Sequence, residues 1–312
     1  MKEYVLNYYP KFSCSADKCK HTCCAGWKMN IDQESLSKYK SENSSFAQTL
    51  NKGINFKKAC FRVDKSGRCA FLNDKGLCEI IINLGEQSLC QVCRDHPRFR
   101  SFFDDRIELG LGFCCEEATR TILTFQEKIQ PVLESDDGII NKLDFAQEKV
   151  IEFRQRALEI IQDRNLSIND RVNKLLTICN AKILEKDFSK IIKKFLSLER
   201  LDKNWTKRLK KLKKKTLIKQ IDEKYSLYCE QFLVNEVYRH LCNAEDTMWV
   251  RAITIASVIF WWIIQSILEN ELVGEDFLDL LADVVRAFSS EVEYSQKNLD
   301  KLYAFTYNFV AL

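Results

Sequence analysis

From residue 145 onward the apolar positions recur three and four apart. Val150, Ile151, Phe153, Leu158 and Ile161 share one side of a helix drawn over residues 145–164. Val172, Leu175, Leu176, Cys179 and Ile183 mark a second helix, which Ser167 or Asn169 can cap. The same spacing predicts helices over 188–199, 225–242, 247–268, 275–288 and 296–309. Within them, residues 252–268 are apolar apart from a few small polar side chains and Gln265, and are bounded by Arg251 and Glu269. A membrane span needs about 20 apolar residues. This run falls short of that and reads as a buried core helix, so no membrane span is expected.

The N-terminal part has only short periodic pieces. Asp32 can cap a helix over 33–39, a second is predicted over 84–94 and ended by Pro97, and a third starts at Cys114-Cys115-Glu116-Glu117 and runs to Phe125. Between the first two, turn residues at 73–76 fold Cys69 back toward Cys78. Composition changes with the pattern near residue 120. Only 3 prolines and 9 glycines occur in 312 residues, which disfavours a loop-rich all-β fold. The predicted fold class is mainly α. An irregular cysteine-rich metal-binding domain over 1–125 is followed by an all-α helical domain over 126–312.

The chemistry is concentrated in sulfur. Eleven of the 14 cysteines lie between Cys14 and Cys115, against only 3 histidines in the chain. The first twelve residues carry no secretory pattern, so a cytoplasmic location is expected, where thiols stay reduced and clustered cysteines bind metal or do chemistry. Thiolates are soft ligands that suit zinc and iron–sulfur clusters. Vicinal Cys23 and Cys24 diverge, so one can face a metal while the other serves elsewhere. Cys90 and Cys93, three apart on a predicted helix, share a face. Cys115 stands at a helix start, where the positive end of the dipole favours thiolate. His21 is either a ligand or a surface polar group. The isolated Cys179, Cys229 and Cys242 read as small buried hydrophobes. The spacings leave zinc and an iron–sulfur cluster both open.

Phosphate-loop, zincin, nucleophile-elbow and dinucleotide fingerprints are absent, and Gly110-Leu-Gly112 does not make one. Net charge is +4, with the basic residues concentrated over 203–219, where no acidic residue occurs. Trp205, Leu209, Leu212 and Leu217 give that stretch an apolar side. It therefore reads first as a solvated basic helix, and only second as a nucleic-acid or acidic-partner site.

Phe12-x-Cys14, Cys19-Lys-His-Thr-Cys23-Cys24-Ala-Gly-Trp27 and Ile31-Asp32 open a series of motifs. Cys69-x-Phe71-Leu72, Leu77-Cys78-x-Ile80, Leu84-Gly85-Glu86, Cys93-Arg94-x-x-Pro97-Arg98 and Cys115-x-Glu117-Ala118-x-Arg120 follow. In this order they resemble the flagellin lysine N-methylase family, among the CxxCxxCC-type cysteine-cluster proteins. Residues 230–240 also resemble a helix of that family. Cys60, Cys90 and Cys114 are extra to the shared pattern, and Glu116 stands where members have proline. The resemblance implies a metal set of Cys14, Cys19, Cys23, Cys24, Cys69, Cys78, Cys93 and Cys115. It implies a [4Fe–4S] cluster (zinc being the alternative) and S-adenosylmethionine as methyl donor. The implied activity is protein-lysine N-methyltransferase, acting on flagellin or a related protein substrate. Asp95, His96, Glu116 and Glu117 are candidate proton acceptors, and Arg98 and Arg120 candidate partners for a donor carboxylate; no catalytic residue is singled out. The rival is a non-enzymatic protein in which zinc or a cluster only staples an interaction domain.

Overall fold

A computed structural model describes residues 1–139, 141–213, 215, 217–272 and 276–311. Lys214 of the basic run and Glu275, the first residue of one predicted helix, lie outside the described residues. The chain divides into two compact units, one formed by Met1–Phe12 with Phe99–Leu312 and the other by Ser13–Arg98. This division follows contacts and differs from the composition step near residue 120. A strand at the very start of the chain pairs with strands from residues 98–136, which ties both ends of that stretch to the helical unit.

In the smaller unit, α1 (Gln33–Ser41) and α2 (Ala47–Gly53) precede a two-stranded ribbon of β2 (Ile54–Asn55) and β3 (Cys60–Phe61); α3 (Glu79–Leu84) and α4 (Gln91–Asp95) follow. Its core gathers Met29, Ile31, Leu36, Tyr39, Leu50, Phe61, Phe71 and Ile80. The Phe71 ring lies directly on Gly53, where a Cβ would run into it.

The other unit is mainly α, as the periodicity predicts. Helices α5 (Glu116–Leu123), α6 (Phe145–Ile161), α7 (Ile168–Ile178), α8 (Phe188–Leu196), α9 (Lys203–Leu212), α10 (Ser226–His240), α11 (Thr247–Glu271), α12 (Phe277–Val292) and α13 (Gln296–Tyr307) carry it. The side chains of Asp144, Ser167, Asp202, Asp246, Asp276 and Ser295 each accept an N–H of the helix they precede, which is why the helices begin where they do. Helix α11 is long and apolar enough to cross a membrane, but 94% of its apolar window is buried inside the protein. It packs against α10, α12 and α13, with Phe260 and Phe288 ring centroids 4.9 Å apart. It sits where a core helix sits.

The periodicity did not reveal the four-stranded sheet, ordered β4 (Arg98–Phe102), β5 (Arg106–Leu111), β1 (Lys2–Leu6), β6 (Pro131–Asp136). Its strands are five or six residues long, and β1 runs parallel to β5, with Lys2 opposite Arg106. Such a pairing is decided by distant contacts rather than local alternation.

Helix α10 explains why a segment rich in polar residues is nonetheless buried: several of its polar side chains fasten other elements. Glu230 takes Arg171 at 2.6 Å and Arg164 at 2.7 Å. The Gln231 amide donates to the carbonyls of Phe125 and Glu127. Asn235 accepts from the Tyr8 hydroxyl and donates to the Leu111 carbonyl. Tyr238 lies beneath the Arg154 guanidinium, which also forks onto buried Glu108 through two 2.7 Å bonds.

The basic run is a surface helix. Trp205, Leu209 and Leu212 of α9 are buried, and Arg208 is committed to Glu271 and Asp283 at 2.9 and 2.7 Å. The described lysines of the run are exposed.

Candidate metal centre

The smaller unit brings its sulfurs together by backbone pairing. Cys69 N–H donates to the Cys24 carbonyl at 2.8 Å, and Ala25 bridges Arg68, so the two cysteines lie on neighbouring extended segments. A turn closes at Asn73: its side-chain oxygen accepts the N–H groups of Lys75 and Leu77, and Gly76 adopts φ +76°. The turn brings Cys78 back across from Leu72, where Cys78 precedes the first residue of α3.

The helix predicted over 84–94 is interrupted. Gly85, at φ +85°, ends α3, and a single 3-10 turn follows before α4 begins after Cys90. Cys90 is therefore the residue that opens α4, and Cys93 sits in its first turn with its N–H on the Cys90 carbonyl. Asp32 sets this corner from a distance. Its Oδ1 caps α1 through Ser35 N–H at 2.9 Å, while Oδ2 accepts Gln91 N–H at 2.8 Å. Burial opposes ionisation there, but the Gln91 and Ser35 amides prevail and hold the carboxyl down at about 2. Asp32→Ala removes a cap and the strut beneath α4 together. It is expected to cost about 1–2 kcal/mol, at the upper end for a cap, whereas Asp32→Asn should retain most of it; urea unfolding measures both.

Cys24, Cys69, Cys78, Cys90 and Cys93 all join the rim or interior of the same small core. They also act on one another electrostatically. Charge on Cys24 opposes ionisation of Cys69, Cys78 and Cys93, and charge on Cys90 does the same. Burial pushes Cys69 up to about 12 and raises Cys78. Cys90 is lowered first by a bond from the Cys93 thiol, and Cys93 is raised by the same bond and by burial. Cys24 is drawn down to about 7, first by a bond from Cys23, then against burial by Thr22 and the Arg68 charge. Burial and mutual charge thus oppose ionisation of Cys69, Cys78 and Cys93, and a metal bound among the five sulfurs would relieve that opposition.

The sulfurs are not closed around a point. Among the described residues no three of them lie within 4.8 Å of one another, whereas thiolates about 2.3 Å from a tetrahedral zinc stand roughly 3.8 Å apart. All 14 cysteines are present as thiols.

Of the eight cysteines that the resemblance implies, the structure thus gathers Cys24, Cys69, Cys78 and Cys93, with Cys23 bonded to Cys24. Cys14 and Cys19 stand at the two ends of a 3-10 turn, Ala16–Lys18, with the Cys14 sulfur accepting Ala16 N–H at 3.4 Å. Cys115 belongs to the helical unit, where it precedes α5 and packs on the helical core. Cys90 was ranked below the eight as extra to the shared pattern, yet it lies within the group; its three-residue spacing to Cys93 was the signal. Cys179 and Cys229 are fully buried in the helical core, as small hydrophobes.

His96 caps the end of α4, and burial lowers it to about 4, so it is neutral at neutral pH. Glu116 and Glu117 lie in the first turn of α5, Glu116 buried. Arg120 forms an ion pair with Asp279 at 2.5 Å, and Arg98 donates to the Arg94 carbonyl.

Curated proteins are similar to this chain over part of its length. It is 28% identical over 134 residues, 39% of its length, to proteins named lysine-N-methylase from Salmonella typhimurium and Salmonella choleraesuis. The same degree of identity extends to the flagellar biosynthetic protein FliU of Salmonella muenchen. This chain is a relative of the lysine-N-methylase and FliU proteins. The resemblance read from the motifs is therefore borne out. The match spans 33% of the length of the two lysine-N-methylases and 79% of FliU. No family model and no solved structure matches the chain.

Proposed function

We propose that this protein is a protein-lysine N-methyltransferase that uses S-adenosylmethionine, acts in the cytoplasm on flagellin or a related protein, and carries a cysteine-ligated iron–sulfur cluster. The observation that supports it most is the convergence of Cys24, Cys69, Cys78, Cys90 and Cys93 in a chain related to lysine-N-methylases. An all-sulfur donor set suits an iron–sulfur group or zinc, and the likeness to lysine-N-methylases favours the cluster. Bound there, a [4Fe–4S] group would supply a soft centre able to keep one iron open for a ligand other than cysteine.

The chain's own residues define the rest. Transfer breaks the sulfonium–methyl bond, forms the bond to lysine Nζ, and leaves S-adenosylhomocysteine and one proton. The ammonium has no lone pair, so the proton must leave first, by desolvation or to a positioned acceptor. His96 is near the cysteine segment in sequence and is neutral, which lets an imidazole nitrogen accept a hydrogen bond.

The test is transfer of labelled methyl from S-adenosylmethionine to flagellin by the anaerobically purified full chain, located by mass spectrometry. Methyl-lysine in the wild type, lost in Cys24→Ser, is the expected result. Metal-dependent folding with neither donor binding nor transfer would overturn the proposal and restore the metal-stapled interaction protein.

A further inference from the structure

Away from the cysteines, a buried polar cluster in the helical unit has no part in the reading above. Glu236 and His240 lie four residues apart on α10, which places both side chains on one face of the helix. Glu293, just past the last residue of α12, meets them there. The His240 Nε2 atom is 2.8 Å from Glu293 Oε1 and 3.8 Å from Glu236 Oε2, and one donor atom from each residue falls within a sphere of mutual distances below 4.8 Å. Donors bound about 2.1 Å from a single cation stand roughly 3.0 Å apart at right angles and 3.4 Å apart at the tetrahedral angle. The observed spacings straddle those values.

Hydrogen bonding leaves the cluster unfinished. Both side chains of the acid pair are 0% exposed, yet among the described residues Glu236 Oε1, Glu236 Oε2 and Glu293 Oε2 find no donor other than a proton shared between the two carboxyls, and the buried Tyr303 hydroxyl nearby has no partner. Buried oxygens without donors are costly and rare in native proteins. Arg239 stands beside the cluster, 3.0 Å from Glu293 Oε1.

We propose that Glu236, His240 and Glu293 form a metal site for one divalent first-row transition cation, held by imidazole nitrogen and carboxylate oxygen. Such a cation satisfies the bare oxygens in one step. The donor set differs in kind from the cysteine group: nitrogen and oxygen accept manganese, iron, cobalt or zinc, whereas thiolates take the softer ions. Arg239 and Tyr303 then bound the site, the first holding Glu293 in place.

Manganese(II) is the discriminating probe because thiolates hold it poorly. The full chain is equilibrated with manganese chloride, and free ion is read from its six-line electron paramagnetic resonance signal. One manganese per chain is expected, with affinity reduced at least about 10-fold in Glu236→Gln and in Glu293→Gln, the loss of one charged ligand. Glu236→Gln keeps the shape of the side chain and can donate to Glu293, so it tolerates a site without metal. Should either variant not fold, the wild type decides: saturating manganese must raise its Tm by mass action. A full free-ion signal at excess protein, undiminished binding by Glu236→Gln, or an unmoved Tm would each overturn the site. A proton shared by the two carboxyls would then satisfy the pair instead.

Discussion

Serine in place of Cys90 or Cys93 is expected to bring bound iron and acid-labile sulfide down from about four each per chain to below about one, with loss of visible absorption. The two substitutions should be equivalent. Cys90 opens α4 and Cys93 sits in its first turn; their thiols are hydrogen-bonded to each other, Cys90 acts on Cys69 and Cys78, and Cys69 acts on Cys93. Cys23→Ser should also lower metal content, because the Cys23 thiol is the largest influence drawing Cys24 toward thiolate. Cys179→Ser should change nothing in the metal, since Cys179 lies wholly inside the helical core. Metal analysis of anaerobically purified variants measures all four. Full iron retention by Cys90→Ser would return Cys90 to the minor rank that the family pattern gives it.

The second large effect lies in the helical unit. Glu230→Ala is expected to cost about 3–5 kcal/mol, because it leaves the Arg171 guanidinium buried without its carboxylate. Arg164→Ala should cost about 1 kcal/mol or less: its side chain is 40% exposed, and Glu230 keeps Arg171 when it goes. Chemical denaturation of the two variants compares the two costs directly. Equal losses would mean that the three residues act as one unit, and a double-mutant cycle would then resolve the coupling. The helix that bears Glu230 was recognisable in the sequence by its resemblance to a family segment. The reason for so many polar residues on a buried helix was not recognisable, because their partners Tyr8, Leu111, Phe125, Arg164 and Arg171 come from five separate stretches of chain.

What the sequence could reveal follows the range of the physics. Helices in the second half are local objects: a stripe of apolar residues suffices to place them, and α6, α7, α10, α11 and α13 lie where that spacing puts them, with Ser167 capping α7 as read. The apolar run of α11 was legible as a core helix for the same reason. Sulfur density likewise announced a metal-binding chemistry without any fold, since ligand softness belongs to the atom.

Tertiary structure decided what depends on distant partners. The sheet joins residues 2–6 to 106–111 and 131–136, pairings no local alternation encodes. The single helix expected over 84–94 broke at Gly85, where a positive φ and the pull of Asp32 on Gln91 start a new helix at Cys90. That break makes Cys90 the residue that opens α4, with Cys93 three residues on in its first turn. Glu236, His240 and Glu293 were ordinary polar residues in the sequence. Only the packing of α12 against the end of α10 made them three unfinished donors around one point, because burial removes the water that would otherwise satisfy them.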